Sequence, residues 1–264
     1  MIPNFVQENG TVLLNEPVAM GQYRMRLDAP RIARTCRPAQ FVQVQTDAGL
    51  SPFLRRPFSV LRADRSAGWI EILYDVVGAG TRRLEEVSAG RSLGLVGPLG
   101  NAFPPVEDDR LLLVAGGVGL VPLVFLTWAC PDKRPNIVFL MGAACRDRMP
   151  DVANLLPPGL QRHLSTDDGS LGHCGFVTER ITEHVLPGQT TIFTCGPHAM
   201  MARTAAIAAD LNAPCYASLE NHMACGFGAC VGCVVEYRDP DREDERYRRV
   251  CVDGPVMDAH KIVW

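Results

Sequence analysis

Twenty consecutive residues, LLLVAGGVGLVPLVFLTWAC from Leu111 to Cys130, carry no charge. A stretch that apolar has to be buried, in lipid or inside protein. Three glycines, Pro122 near the middle and the Asp109-Arg110 flank argue against one membrane-spanning helix. The residues read instead as a buried strand to Val114, a turn at Gly116, Gly117 and Gly119, and a buried helix from about Val121, with Pro122 in its first turn. That is the unit of a layered α/β domain, and its turn offers bare amides and a helix N-terminus to a pyrophosphate. Pro122 occupies the place of the third glycine of G-x-G-x-x-G, and no acid directly ends the next strand, NIVFLMGAACRD, so a tight turn without a ligand also fits.

A second unit of this kind is TTIFTCGPHAMMARTAAIAADLN. It predicts a strand over Thr191–Thr194, a corner at Cys195, Gly196 and Pro197, and an amphipathic helix to Leu211. Strand ends that face one crevice are where open α/β sheets bind ligands. Cys195 is the candidate catalytic thiol beside a nicotinamide there, although a lone cysteine at a strand end is more often simply core.

The first hundred residues differ in texture. Short runs such as QFVQVQT, FSVLRAD and WIEILYDVV, punctuated by glycine and proline, predict a small antiparallel barrel. Within it, RRPFSV combines arginine for phosphate, an aromatic face for a ring and a hydroxyl for a polar edge, as a flavin would need. An Arg-Arg pair at a strand start is also ordinary solvated surface.

Ten cysteines are distributed unevenly, six of them alone and four within residues 225–251. The four stand as C-x4-C-x2-C, then seventeen residues, then Cys251. This is the plant-type [2Fe–2S] spacing, with Cys225, Cys230, Cys233 and Cys251 as candidate ligands. Gly226, Gly228 and Gly232 are expected to let the backbone wrap the cluster with unusual torsions and present amides to sulfur. A structural zinc site or disulfides remain open, although zinc usually takes a matching second pair and here one cysteine follows.

The net charge of -3 offers no field for a polyphosphate backbone, so nucleic acid is not an expected partner. MIPNFVQENGTVLLNE lacks the basic and apolar regions of a signal peptide, and the expected location is cytoplasmic with no membrane association. The six histidines are scattered, and no nucleophile–base pairing suited to oxidising a carbon acid is visible. The segment EYRDPDREDERYRRV holds eleven charges of both signs and is expected to be a hydrated hairpin.

The order of RPFS, GAGT at Gly78–Thr81, GPLGNAF, AGGVGLVPL, CGP and a cysteine cluster resembles the ferredoxin reductase superfamily. SLENHMACGFGACVGCVV with YRRVCVDGPVMDAHKIVW resembles, more narrowly, the iron–sulfur electron-transfer subunits of class 1B dihydroorotate dehydrogenases. The resemblance implies an FAD-binding β-barrel at 1–104, a parallel-sheet α/β NAD-binding domain at 105–214 and a [2Fe–2S] module at 215–264. It places FAD on Arg56, Pro57, Phe58 and Ser59, on Leu73, Tyr74 and Asp75, and on Gly80 and Thr81 at the phosphates. It gives NAD(H) the turn at Gly116, Gly117 and Gly119 and the corner at Gly196 and Pro197. Electrons would pass from a dihydroorotate-oxidising FMN subunit through the cluster and FAD to NAD+, in pyrimidine biosynthesis, within a heterotetramer of two of each chain. The cluster loop, with Met223 and Phe227, would be the docking face. Two departures from the family stand out, Asp75-Val76 where a basic or apolar pair is usual, and GAACRDRM in place of a Gly-x-Arg start. A small subunit of a transhydrogenase- or hydrogenase-type complex is the alternative; the former would carry aspartate where this chain has Cys225.

Overall fold

The computed structural model describes residues 5–46, 49, 51–105, 110–239 and 246–264. Six strands, β1 (Val6–Ala19), β2 (Gln22–Asp28), β3 (Phe41–Val44), β4 (Arg56–Asp64), β5 (Trp69–Asp75) and β6 (Ser92–Leu99), close an antiparallel barrel in the order β1-β2-β5-β4-β3-β6. Alternation decides which side chains fill it: Val42 and Val44, Met25 and Leu27, and Ile70 and Ile72 pack inward. Short helices α1 (Pro30–Thr35) and α2 (Ala79–Glu85) sit in its connections.

The second sheet has seven strands. They are β7 (Arg110–Gly116), β8 (Ile137–Ala143), β9 (Gln161–Thr166), β10 (His173–Cys174), β11 (Thr190–Cys195), β12 (Cys215–Ser218) and, after the pair β13 (Val234–Glu236) and β14 (Tyr247–Arg249), β15 (Val256–Asp258). Their order is β10-β9-β8-β7-β11-β12-β15, parallel except for the β12–β15 pair. Buried on both faces, its strands read as nearly continuous apolar runs. Leu112, Val114 and Ile192 face one core, with helix α5 (His198–Asp210); Leu111, Leu113 and Phe193 face the other, with α3 (Leu120–Ala129) and the short α4 (Val152–Leu155). The uncharged run is thus β7, a 3-10 turn and a ten-residue α3. No helix among the described residues is long and apolar enough to cross a membrane.

The tail is built into this sheet. β12 begins at Cys215 and β15 pairs with it, so residues after 214 supply the sheet edge as well as the cysteine loop. β13 and β14 form the antiparallel arms of the charged segment, whose residues 240–245 lie outside the described residues. Glu236–Arg246 (3.0 Å) and Asp239–Lys261 (3.0 Å) ion pairs flank it.

The barrel joins the α/β domain through α3. Leu61 and Leu73 enter the same core as Leu120 and Val124. Arg62 of β4 lies 4.1 Å from the Trp128 ring centroid, and Arg26 lies 4.4 Å from that of Trp69. Glu71, wholly buried, accepts two hydrogen bonds from Arg26 (2.8 and 3.1 Å). This packing brings the end of β5 to the end of β7. The histidines are less scattered than their spacing suggests, since His163 and His184 meet with ring centroids 4.4 Å apart and planes tilted by 35°.

Candidate functional site

β7 runs on to β8 on one side and is paired with β11 on the other, so the chain reverses its direction across the sheet at β7. The carboxyl ends of these strands are the expected binding crevice of an open α/β sheet. Two turns meet there. Gly117 has φ +55° and Gly196 φ +149°, conformations that favour glycine. Gly116 backs onto Pro197 and Met200, where a methyl group would come within 2.7 and 2.6 Å. Together these turns line a cleft of about 590 Å³ with His198, Asn221 and Ile262.

Cys195 is wholly buried and is not among the residues lining that cleft; its neighbours Gly196 and Pro197 are. Burial, then the nearby Glu220 carboxylate, pushes its thiol well above the ordinary range. The thiol therefore stays protonated at neutral pH.

A second cleft, of about 330 Å³, opens between the barrel and the sheet. Pro57, Phe58, Ser59, Leu73, Tyr74, Asp75 and Thr81 line it. Phe58 and Tyr74 present tilted rings 5.6 Å apart, and the Tyr74 hydroxyl donates to Asn15 Oδ1 (3.0 Å). Arg56 lies against Gly80, where a Cβ would approach its Nε to 2.8 Å. Thr81 Oγ1 accepts from the amides of Val77 (2.9 Å) and Gly78 (3.0 Å), so its hydroxyl also caps α2.

Asp75, Val118, Leu219, Glu220 and Asn221 belong to both clefts, which therefore share a wall. Burial raises the Asp75 carboxyl above its usual range, and burial together with Asp75 does the same to Glu220 at the cleft mouth. Asp75 Oδ1 is buried without a partner among the described residues. Of the segment 219–223 the sequence reading assigns a role to Met223 alone; Leu219, Glu220 and Asn221 enter it only as part of the SLENHMACGFGACVGCVV motif.

All ten cysteines are free thiols. The loop thiols stand in two pairs, in which the Cys230 amide donates to Cys225 Sγ (3.4 Å) and the Cys251 amide to Cys233 Sγ (3.4 Å). No three His, Cys, Asp or Glu side chains among the described residues stand together as a metal site. Burial pushes the Cys225 thiol up, but hydrogen bonds from the Cys230 and Phe227 amides, the Cys230 thiol and the Ala229 amide outweigh it and bring the thiol down to about 7. Burial and Cys233 push Cys251 to about 12, opposed by the Gly228 amide. Gly226 (φ +78°) and Gly228 (φ +91°) take left-handed torsions as expected, but Gly232 does not. Val231 does (φ +55°), so a β-branched residue carries the last bend between Cys230 and Cys233. A backbone that aims several amides at sulfur suits a thiolate-bound cluster, whose sulfurs accept such bonds. The ring-faced cleft suits a flavin nucleotide, with Arg56 and Gly80 outside its lining but adjoining Pro57 and Thr81, which line it, and the open glycine turns suit a pyrophosphate.

The comparisons with known proteins agree with this geometry. Residues 220–263 match the family model for the iron–sulfur cluster binding domain of dihydroorotate dehydrogenase B. The dihydroorotate dehydrogenase B (NAD(+)) electron transfer subunit of Geobacillus kaustophilus is 35% identical over 261 residues, covering 97% of this chain and 98% of the relative. That of Desulforamulus reducens is 34% identical over 249 residues, covering 94% of each. Among solved structures, that of an NADH-dependent reduced ferredoxin-NADP oxidoreductase, described for flavin-based electron bifurcation, superimposes with a TM-score of 0.85 at 25% identity over 97% of this chain and 90% of that one. A ferredoxin NADP+ reductase from Neisseria gonorrhoeae shares the fold, with a TM-score of 0.64 at 16% identity over 82% of this chain and 94% of that one. At more than a third of positions identical over nearly its whole length, this chain belongs to the family of dihydroorotate dehydrogenase B (NAD(+)) electron transfer subunits.

Proposed function

We propose that the chain carries FAD in the cleft of Arg56–Ser59 and Leu73–Asp75, NAD(H) across the turns at Gly116–Gly119 and Gly196-Pro197, and a [2Fe–2S] cluster on Cys225, Cys230, Cys233 and Cys251. The observation that carries this reading is the shared wall. Asp75, Val118, Leu219, Glu220 and Asn221 border both clefts, and Met223, in the wall of the flavin cleft, stands two residues before Cys225. Three binding regions thus adjoin along one short segment.

When bound, FAD trades a hydride with the nicotinamide and single electrons with the cluster. The chain's residues contribute geometry. Phe58 and Tyr74 wall the ring, Arg56 and Gly80 hold the far end, and Gly119 and Cys195 keep the two nucleotide turns in register. Cys195, the candidate catalytic thiol, contributes from behind the corner, its buried, protonated side chain packing under Gly196 and Pro197, which line the nucleotide cleft.

Electrons come from a catalytic partner that holds FMN and oxidises dihydroorotate, in a heterotetramer of two of each chain in the cytoplasm. Phe227 (41% exposed) and Val231 (56%), both within the cysteine loop, give it the apolar surface such a partner would cover. Segment boundaries near 104 and 214 follow the same reading, with the cluster module sharing the sheet edge.

An anaerobic NADH titration of the purified chain, followed by visible absorption and EPR, tests the proposal. Bleaching of flavin and iron–sulfur bands with a reduced [2Fe–2S] signal is expected. A colourless protein would point to zinc at the cysteine loop and remove the relay. Because Cys225 fills the position that an aspartate takes in transhydrogenase small subunits, the dihydroorotate-linked reading is preferred to that alternative.

A further inference from the structure

Gln43 carries a donor and an acceptor into the protein interior. Its side chain is fully buried, and neither Nε2 nor Oε1 has a hydrogen-bond partner among the described residues. Burying an amide unpaired costs about 1–3 kcal/mol, so a side chain of this kind calls for a partner that the surrounding described residues do not supply.

Its position identifies the group. On β3, Val42 and Val44 point into the barrel, whereas Phe41 joins the core that contains Cys233 and Cys251 and also lines the flavin cleft. Gln43, two residues from Phe41, lies on that same outer face, opposite Pro57 in the β3–β4 ladder. Its carboxamide packs directly under Gly226. A methyl group on Gly226 would come within 2.6 Å of Nε2 and 3.1 Å of Cδ. Gly226 follows Cys225 and takes its left-handed turn (φ +78°) over this amide. The barrel wall therefore offers one polar side chain to the cysteine loop, at the loop residue that has no side chain to block it.

We propose that Gln43 donates its amide N–H to sulfur of the iron–sulfur centre held by this loop, an inference that rests on the cluster reading above. Reduction adds negative charge to the centre, so a donor to sulfur favours the reduced state and raises the potential. Gln43 is thus a positioning and tuning residue on the strand between flavin cleft and cluster.

The test uses the purified, cluster-containing chain. In Gln43→Met, which keeps the volume and removes the donor, the midpoint potential of the [2Fe–2S] EPR signal is expected to fall, with iron, sulfide and FAD contents unchanged. The holoprotein's Tm is expected to fall as well. An amide that stays unpaired in the holoprotein predicts the reverse, because replacing it by Met would relieve a buried polar group. An unchanged potential at full iron content, or a raised Tm, overturns the proposal. Should the variant lose its iron, ENDOR on reduced wild-type protein labelled with side-chain 15N-glutamine decides. A nitrogen coupling to the cluster supports the contact, and its absence overturns it. Wild-type protein without any [2Fe–2S] signal would overturn the cluster reading itself, an outcome recognisable before any variant is made.

Discussion

Gly119 and Cys195 meet backbone to backbone: a side chain at 119 would run into the Cys195 carbonyl and the Gly196 amide. Nothing in the local sequence of either turn specifies this contact. It exists because β7 and β11 are neighbours in the sheet, in parallel register from Arg110–Thr190 to Ala115–Cys195. The two glycine turns are therefore one rigid rim, and each sets the position of the other.

Gly119 and Gly117 should consequently fail in different ways. Gly119→Ala has to displace backbone, an overpacking cost of about 1–3 kcal/mol. It is expected to lower Tm and to raise the Kd for NADH about tenfold, which corresponds to about 1.4 kcal/mol. Gly117 has no protein atom within 4 Å and lines the nucleotide cleft, so Gly117→Asn, which tolerates the φ of +55°, should keep Tm near that of the wild type and raise the Kd for NADH by placing a side chain where the turn is otherwise bare. Fluorescence titration with NADH checks both. Equal Kd values for Gly119→Ala and the wild type would move the nucleotide away from this rim.

Arg56 is the only charged residue of the RPFS run, and its guanidinium lies on Gly80 at the start of α2. Hydrogen bonds to charged groups contribute about 1.5–3 kcal/mol, so Arg56→Ala should weaken FAD binding by about 10- to 100-fold. Arg56→Lys should recover only part of this, because the planar fork is lost. Flavin content after gel filtration and a titration of apoprotein with FAD measure the effect. Full flavin retention in Arg56→Ala would remove the phosphate role.

The sequence was most legible where a local pattern determines the outcome. The run at Leu111–Cys130 folds as β7, a turn and α3 within a residue or two of the expected bounds, and RPFS lies on a barrel strand lining a cleft. Relations between distant segments were not legible. That Asp75 and Glu220 share a wall, that His163 meets His184, and that Gln43 lies under Gly226 all follow from strand order and domain packing, which no spacing rule encodes. Gly232 misled for a related reason. Glycine permits a left-handed torsion without requiring one, and the chain bends at Val231 instead.

The shared wall carries a pH signature. Burial raises the Asp75 carboxyl in the folded state, so the folded chain holds that proton more tightly than the unfolded chain does. The sign follows by linkage: stability from this group is fully present below the unfolded value, is lost as pH rises toward the raised folded value, and levels off beyond it. Asp75→Asn removes the charge and keeps the shape. Its Tm should exceed that of the wild type at pH 7–8, and the difference should shrink toward pH 4, near the unfolded carboxylate value. Parallel Tm–pH curves for the two proteins would show that Asp75 is solvated in the folded state.

The cysteine loop should separate from the flavin site. Cys230 is exposed and its amide holds Cys225 Sγ, while Cys233 and Cys251 are buried in the core with Phe41. Cys230→Ser removes one thiolate but leaves that core contact intact, so the protein should fold, keep FAD and still reduce a soluble dye with NADH at nearly the wild-type rate. Iron content and the [2Fe–2S] EPR signal should be lost, and with them electron transfer to a one-electron acceptor that docks at the loop. In the iron-free protein the two pairs should also differ in reactivity. Cys225, brought down to about 7, is expected to alkylate first at neutral pH, and Cys251, buried and pushed to about 12, last. Mass spectrometry of time-resolved iodoacetamide labelling gives that order. Flavin loss in Cys230→Ser would mean that the loop and the flavin cleft form one cooperative unit, through the segment Leu219–Met223 that joins them.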